Sequence, residues 1–300
     1  MMTKESKPTV AVIGLGAMGL PMALKLNESM PVRAYDLSAE RAALGAKDGL
    51  TTFSSAAEAA KGSDIVMIIV RNAAQLNDAL FGNGKVAAST KAGAVVVVTS
   101  TVGIDAVKDT AAKLAESGIE LVDAPLSGGP VRARQGDLLI VVGGSSAARK
   151  ITQPALDALA STLTVVGDNP GDGQALKTVN QLLCGIHIAA AAEALALADS
   201  LGLDLTKTLN ALNAGAASSF MLGNRGVRMI EILEGKEPEV LSRLDIFVKD
   251  LGIVTDASRK FDVPTPIASV AEQMFRLGIS RGLDATDDSS VIRVITKDAK

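Results

Sequence analysis

The sequence predicts a doubly wound α/β domain built on a parallel sheet, followed by an all-α domain, the two joined by a long interdomain helix. Three observations predict it. A β-branched run at 9–13 (TVAVI) leads straight into Gly14-Leu15-Gly16-Ala17-Met18-Gly19 and then a helical pattern over 20–27. Apolar strand candidates alternate with helical stretches up to residue 167, the pattern of βαβ units. From residue 174 the pattern is helical almost throughout, and the composition shifts from β-branched to Ala/Leu-rich. The expected division is therefore 1–167 and 168–300.

Composition agrees and narrows the function. The chain has 300 residues, 48% hydrophobic and 21% charged, so a large packed core is expected and disorder is not. A net charge of −3, no long basic run and 2% aromatics argue against a nucleic-acid surface, which needs a concentrated positive patch or stacking aromatics. A single cysteine, Cys184, permits no internal disulfide and suits a cytoplasmic location. Residues 1–8 read as a short polar lead rather than a signal peptide. The uncharged stretch 178–192 is shorter than the run of about 20 apolar residues that crosses a bilayer, so no membrane association is expected.

In the first half, the strand–glycine turn–helix context lifts G-x-G-x-x-G above a chance match. Gly14 permits the tight turn, Gly16 lets a pyrophosphate approach the backbone, and Gly19 lets the helix pack on the strand, so the turn is that of a Rossmann dinucleotide site. The next strand candidate, 32–35 (VRAY), ends at Asp36, about twenty residues after Gly16, where a carboxylate accepts ribose hydroxyls and repels a 2′-phosphate. NAD is thus expected over NADP. Arg41, the first cation after Asp36, keeps NADP as the secondary candidate.

Residues 64–70 (DIVMIIV) and 94–98 (AVVVV) are mostly continuous apolar runs, as central parallel strands covered on both faces require. Helical stretches at 56–61, 73–80 and 105–117 lie between or after them, and 120–123 and 138–142 add two strands. Val70-Arg71-Asn72 and Thr99-Ser100-Thr101 fall at strand C-terminal ends, where ligands of such sheets bind; ordinary loop chemistry remains the alternative. Ser127-Gly128-Gly129 follows another strand, and its exposed N–H groups suit a carboxylate or simply make a tight connection.

Lys177 stands early in the longest helical pattern, 174–201, after the glycine-punctuated turn at 171–173. Cations are favoured at helix C-termini, so its position suggests a task other than helix stability. Lys177, Asn180, Cys184 and Ile188 share one stripe of the helix. His187, the sole histidine, lies roughly 15 Å along the axis from Lys177 and reads as a core or interface residue, as Cys184 reads as a small buried hydrophobe. Asp245 and Lys249 are either a solvated helix pair or place a second cation at the cofactor. With one histidine and no cysteine cluster, no metal is expected.

Four ordered blocks carry a family resemblance: 14–19 (GLGAMG), 123–129 (DAPLSGG), 171–180 (GDGQALKTVN) and 249–251 (KDL). The chain resembles the β-hydroxyacid dehydrogenases, the group that includes 3-hydroxyisobutyrate dehydrogenase and tartronate semialdehyde reductase. Residues 181–194 resemble most the branch acting on L-threonate. The resemblance implies that Lys177 is the acid/base, that Asn180 and Ser127-Gly128-Gly129 hold the substrate carboxylate and hydroxyl, and that Thr101 and Lys249 contact the cofactor. Apart from the resemblance, the helix 174–201 is alanine-dense, with four in a row at 189–192, and suits close packing on another domain or subunit, so a homo-oligomer, dimer or tetramer, is expected. Two positions depart from the family pattern. Arg71, beside the expected cofactor with Val70, replaces the usual proline, and Gln181 follows Asn180 where a second asparagine is common; both bear on substrate identity. The expected reaction is oxidation of a small anionic hydroxy acid, with a reductase of the same family, or a non-catalytic dinucleotide sensor, as alternatives. A base lysine must have its pKa lowered, which partial burial and a neighbouring cation would do.

Overall fold

The computed structural model describes residues 7–296, so most of the stretch read as a polar lead lies outside the described residues. The described residues begin with β1 (Val10–Ile13), α1 (Gly19–Asn27), β2 (Val32–Tyr35), α2 (Ala39–Lys47), β3 (Thr51–Thr52) and α3 (Ala56–Ala60). It continues through β4 (Ile65–Ile68), α4 (Ala73–Phe81), α5 (Val86–Ser89), β5 (Val95–Val98), α6 (Ile104–Ala115) and β6 (Glu120–Asp123). Then come β7 (Leu126–Ser127), α7 (Gly129–Gln135), β8 (Leu138–Gly143), α8 (Ser146–Leu159), β9 (Ala160–Gly167) and α9 (Asp172–Ser200). Among the described residues four helices follow, α10 (Leu205–Ala214), α11 (Phe220–Leu233), α12 (Leu244–Lys260) and α13 (Pro266–Ser280), then a 3₁₀ turn at Asp288–Val294.

Contacts divide the chain into two compact units, Met1–Lys177 and Thr178–Lys300. Helix α9 is continuous through the division and supplies residues to both.

The first unit holds a sheet ordered β3-β2-β1-β4-β5-β6-β8-β7, with β9 on β8. All neighbours from β3 to β6 are parallel. The expected parallel sheet is thus present, and beyond β6 it becomes mixed: β8 runs antiparallel to β6 and β7 antiparallel to β8, while β9 runs parallel to β8. The chain turns back through β7 instead of crossing the sheet on a full-length helix, which is what a parallel neighbour needs.

Alternate strand residues feed two cores, as the period of a strand dictates. Val10 and Val12 of β1 and Val95 and Val97 of β5 join Met22 and Leu26 of α1 and Leu156 and Leu159 of α8. Ala11, Ile13, Val96 and Val98 join Ala59 of α3, Leu76 and Leu80 of α4, and Leu114 of α6 on the other face. Burial on both faces explains why these strands read as unbroken apolar runs.

The second unit packs Ile188, Ala191, Ala192 and Leu195 of α9 against Met229 of α11, Phe247 and Leu251 of α12 and Phe275 of α13. The rings of Phe247 and Phe275 stack with centroids 5.3 Å apart. By length and composition α9 could cross a bilayer, which its uncharged stretch alone could not. Its packing into an apolar protein core is that of a core helix.

Candidate active site

The strand order reverses between β1 and β4, the crevice where open α/β sheets bind their ligands. The turn after β1 is built for close approach. Gly14 N–H donates to Tyr35 O at 2.8 Å, and a Cβ on Gly14 would lie 2.2 Å from Ile69 O. A Cβ on Gly19 would lie 1.9 Å from Gly14 O, so α1 starts hard against the turn. At Gly16 the added atom would meet only Arg41 Nη1, at 3.2 Å. That glycine keeps a cradle open at the positive end of α1, and the residues fit a dinucleotide pyrophosphate. Leu15 anchors the turn in the core while Ala17 is exposed and Met18 half-buried.

Asp36 closes the same turn. One carboxylate oxygen accepts Leu15 N–H at 2.6 Å and the other accepts Ser38 N–H at 2.7 Å. Ser38 in turn caps α2. The carboxylate thus stands at the end of β2, tied to the glycine turn.

The ends of β4 and β5 are stitched together. Val70 N–H donates to Ser100 Oγ at 2.9 Å, Arg71 N–H donates to Gln75 Oε1 at 2.9 Å, and Asn72 caps α4 through Gln75 N–H. Ser100 Oγ and Asn72 Oδ1 thus each accept a backbone N–H. Arg71 is exposed and Thr101 half-buried. Gln174, on the first turn of α9, grips the loop around Thr101: its Nε2 donates to Ser100 O at 3.0 Å, and its Oε1 accepts Val102 N–H at 3.1 Å and Gly103 N–H at 3.2 Å.

Lys177 is buried, 8% exposed. Its Nζ donates to Leu126 O at 2.9 Å and to Ser127 Oγ at 3.1 Å, bringing together two residues that sequence reasoning paired only through family motifs. Gly128 and Gly129 follow at once and open α7. The start of α9, one turn before Lys177, is held by Asp123, whose Oδ1 accepts Gly171 N–H at 2.9 Å and whose Oδ2 accepts Gln174 N–H at 2.7 Å. Burial pushes the Asp123 carboxyl up to about 6, against those two donors, and the Asp172 charge adds to the rise.

In the second unit a polar chain links α9 to α12. Asn180 Nδ2 donates to Gln181 Oε1 at 2.8 Å and to Cys184 Sγ at 3.4 Å. Gln181 Nε2 donates to Asp250 Oδ2 at 2.5 Å, and Lys249 Nζ pairs with Asp250 Oδ1 at 2.6 Å. The departure at Gln181 thus has a physical use: the longer amide reaches both Asn180 and the buried Asp250. Asp245 accepts from Arg243, and His187 is half-buried.

Asp123, Gln174 and Asp250 are the polar residues that sequence reasoning missed. The available signal for Gln174 was a polar residue three positions before Lys177 on the same helical face. All three lie inside the blocks that carry the family resemblance, at 123–129, 171–180 and 249–251.

A parallel sheet with a glycine cradle at its switch point, a carboxylate closing that cradle, and a buried lysine beside a serine define a dinucleotide-dependent oxidoreductase. Residues 9–167 match the NAD binding domain of 6-phosphogluconate dehydrogenase, and residues 171–295 match the NAD-binding domain of NADP-dependent 3-hydroxyisobutyrate dehydrogenase. The chain is 38% identical over 295 residues to an L-threonate dehydrogenase of Haemophilus influenzae, covering 96% of this chain and 95% of that one. It is 34% identical over 291 residues to a 2-(hydroxymethyl)glutarate dehydrogenase of Eubacterium barkeri, covering 97% and 95%. The crystal structure of a 3-hydroxyisobutyrate dehydrogenase from Salmonella typhimurium superimposes with a TM-score of 0.88 at 38% identity, covering 96% of this chain and all (100%) of the other. The chain belongs to the 3-hydroxyisobutyrate dehydrogenase family of hydroxyacid dehydrogenases, and its first unit is an NAD(P)-binding domain.

Proposed function

We propose that this chain oxidises an acyclic hydroxy acid with NAD, that L-threonate is the first substrate to test, giving the 2-oxo acid, and that Lys177 takes up the hydroxyl proton. The observation that carries this reading is the buried Lys177 amine within hydrogen-bond distance of both Leu126 O and Ser127 Oγ. Both protonation states suit that setting. An ammonium donates to the carbonyl and the hydroxyl, while a neutral amine donates to the carbonyl and accepts from the hydroxyl. The group can therefore gain and lose a proton without losing its partners.

Ser127, the amides of Gly128 and Gly129, and Asn180 hold the substrate carboxylate and hydroxyl in this proposal, fixing the reacting carbon. The dinucleotide, when bound, supplies the hydride acceptor. Residues 14–19 hold its pyrophosphate, Asp36 its adenosine ribose, and Val70, Arg71, Thr101 and Lys249 its remaining contacts. NAD is favoured because the Asp36 carboxylate would repel a 2′-phosphate; Arg41 beside Gly16 is the reason to assay NADP as well. Similarity to enzymes named for L-threonate supports that substrate. The likeness to a 3-hydroxyisobutyrate dehydrogenase structure makes that acid, and the tartronate semialdehyde type, the alternative.

A cytoplasmic homo-oligomer is the proposed form, supported by apolar side chains such as Leu183 and Leu197 that stand exposed along α9. The deciding assay follows absorbance of reduced nicotinamide with NAD and NADP across threonate, erythronate, glycerate and 3-hydroxyisobutyrate. Turnover fastest with threonate and NAD supports the proposal. Turnover with none of them would favour a dinucleotide sensor.

A further inference from the structure

We infer that Gln174 is a positioning residue, which registers Lys177 against the loop after β5 and so against the bound dinucleotide. This rests on the proton-carrier role proposed for Lys177.

Gln174 is 1% exposed, and every polar group of its side chain meets backbone. The contacts bracket Thr101: Ser100 O before it, Val102 N–H and Gly103 N–H after it. The same loop is tied to the end of β4 through Val70 N–H and Ser100 Oγ. Gln174's own N–H is held by Asp123. A Cβ on the neighbouring Gly173 would lie 2.8 Å from Asp123 Oδ2 and 3.0 Å from Asp123 O, so α9 starts in direct contact with the end of β6.

Three strand ends are thereby locked to one helical turn, and Lys177 stands on the next turn of the same rigid helix. One side chain sets the spacing between the loop expected to touch the cofactor and the amine expected to move the proton. An apolar side chain at this position would fill the space but leave two N–H groups and a carbonyl without partners. It would also leave the loop free to shift relative to Lys177. Glutamate keeps the acceptor for Val102 and Gly103 and loses the donor to Ser100.

The test compares Gln174→Ala and Gln174→Glu with the unaltered full chain, using L-threonate, or the best acid from the screen, as substrate. Four quantities are read: kcat, KM, the NADH dissociation constant by fluorescence, and the primary isotope effect with substrate deuterated at the reacting carbon. In folded Gln174→Ala, kcat should fall about 10- to 100-fold, with KM and NADH affinity within about threefold of the unaltered chain. The isotope effect should rise as chemistry becomes limiting, and Gln174→Glu should fall between the two. A purely structural role would lower the melting temperature and leave kcat per folded molecule and the isotope effect unchanged, which would overturn the inference. If Gln174→Ala does not fold, Gln174→Glu decides by the same two readouts. Lys177→Ala, assayed alongside, separates the two claims. An active Lys177→Ala removes the proton-carrier role and the inference with it; an inactive one beside a fully active Gln174→Ala overturns the inference alone.

Discussion

Lys177 Nζ lies 3.1 Å from Ser127 Oγ, two side chains separated by fifty positions in the chain. The lysine is held by α9 and the serine by β7, so the pair depends on the chain leaving β6 and returning as β7 against β8. Replacing Ser127 by alanine removes this partner of the amine and leaves its bond to Leu126 O in place. One hydrogen bond to a charged group is worth about 1.5–3 kcal/mol, so kcat/KM should drop about 10- to 100-fold. Steady-state kinetics of Ser127→Ala with an unchanged melting temperature checks this, and an unchanged kcat/KM would detach Ser127 from the reaction.

The glycine turn separates folding from binding. Gly14→Ala places a Cβ 2.2 Å from Ile69 O at a φ of +105°, so this variant should lose several kcal/mol or fail to fold. Gly16→Ala meets only the mobile end of Arg41 and should fold normally while binding the dinucleotide at least about tenfold more weakly. Melting curves and NADH titration of the two variants would show the split; equal effects on stability would refute it.

How much of this was legible in the sequence differs by element. β1, β4 and β5 were visible because burial on both faces makes an unbroken apolar run. Lys177 was visible because a cation early in an apolar helix is out of place. Helix α8 was not foreseen: Pro154 interrupts its interior, and Ala155, Leu156 and Leu159 reveal an apolar face only against the sheet. The two-residue strands β3 and β7 are too short to show a period. Gln174 and Asp123 escaped because their partners are backbone groups far along the chain, Ser100 to Gly103 for one and Gly171 and Gln174 for the other. A sequence does not display such pairings.

Asp123 gives a pH dependence of defined sign. Burial raises its folded-state pKa from 3.8 to about 6, so the folded chain binds this proton more tightly than the unfolded one. Its stabilising contribution is complete below pH 4 and is lost as the pH rises through 6, by about 3 kcal/mol in all. Asparagine at this position does not titrate. Urea unfolding at pH 4 and pH 7 should show the unaltered chain losing about that much relative to Asp123→Asn as pH rises. A difference between the two proteins that does not vary with pH would contradict the assignment.

Gln181 reaches Asp250 Oδ2 at 2.5 Å and takes Asn180 Nδ2 at 2.8 Å. Asparagine is one methylene shorter and cannot span both. Gln181→Asn should therefore release Asn180 and raise KM for the hydroxy acid about three- to tenfold, with kcat less affected. Kinetics against threonate and 3-hydroxyisobutyrate would test it. A KM unchanged for both acids would show that the link between Asn180 and Asp250 has no part in substrate binding.

In the proposed reaction Lys177 carries the proton of the alcohol. The decisive variant is Lys177→Ala, assayed for reduced nicotinamide in parallel with NADH titration. Turnover should vanish, by at least about a thousandfold, while the dinucleotide binds within about threefold of the unaltered chain. Turnover that survives in a folded Lys177→Ala enzyme would show that another group carries the proton.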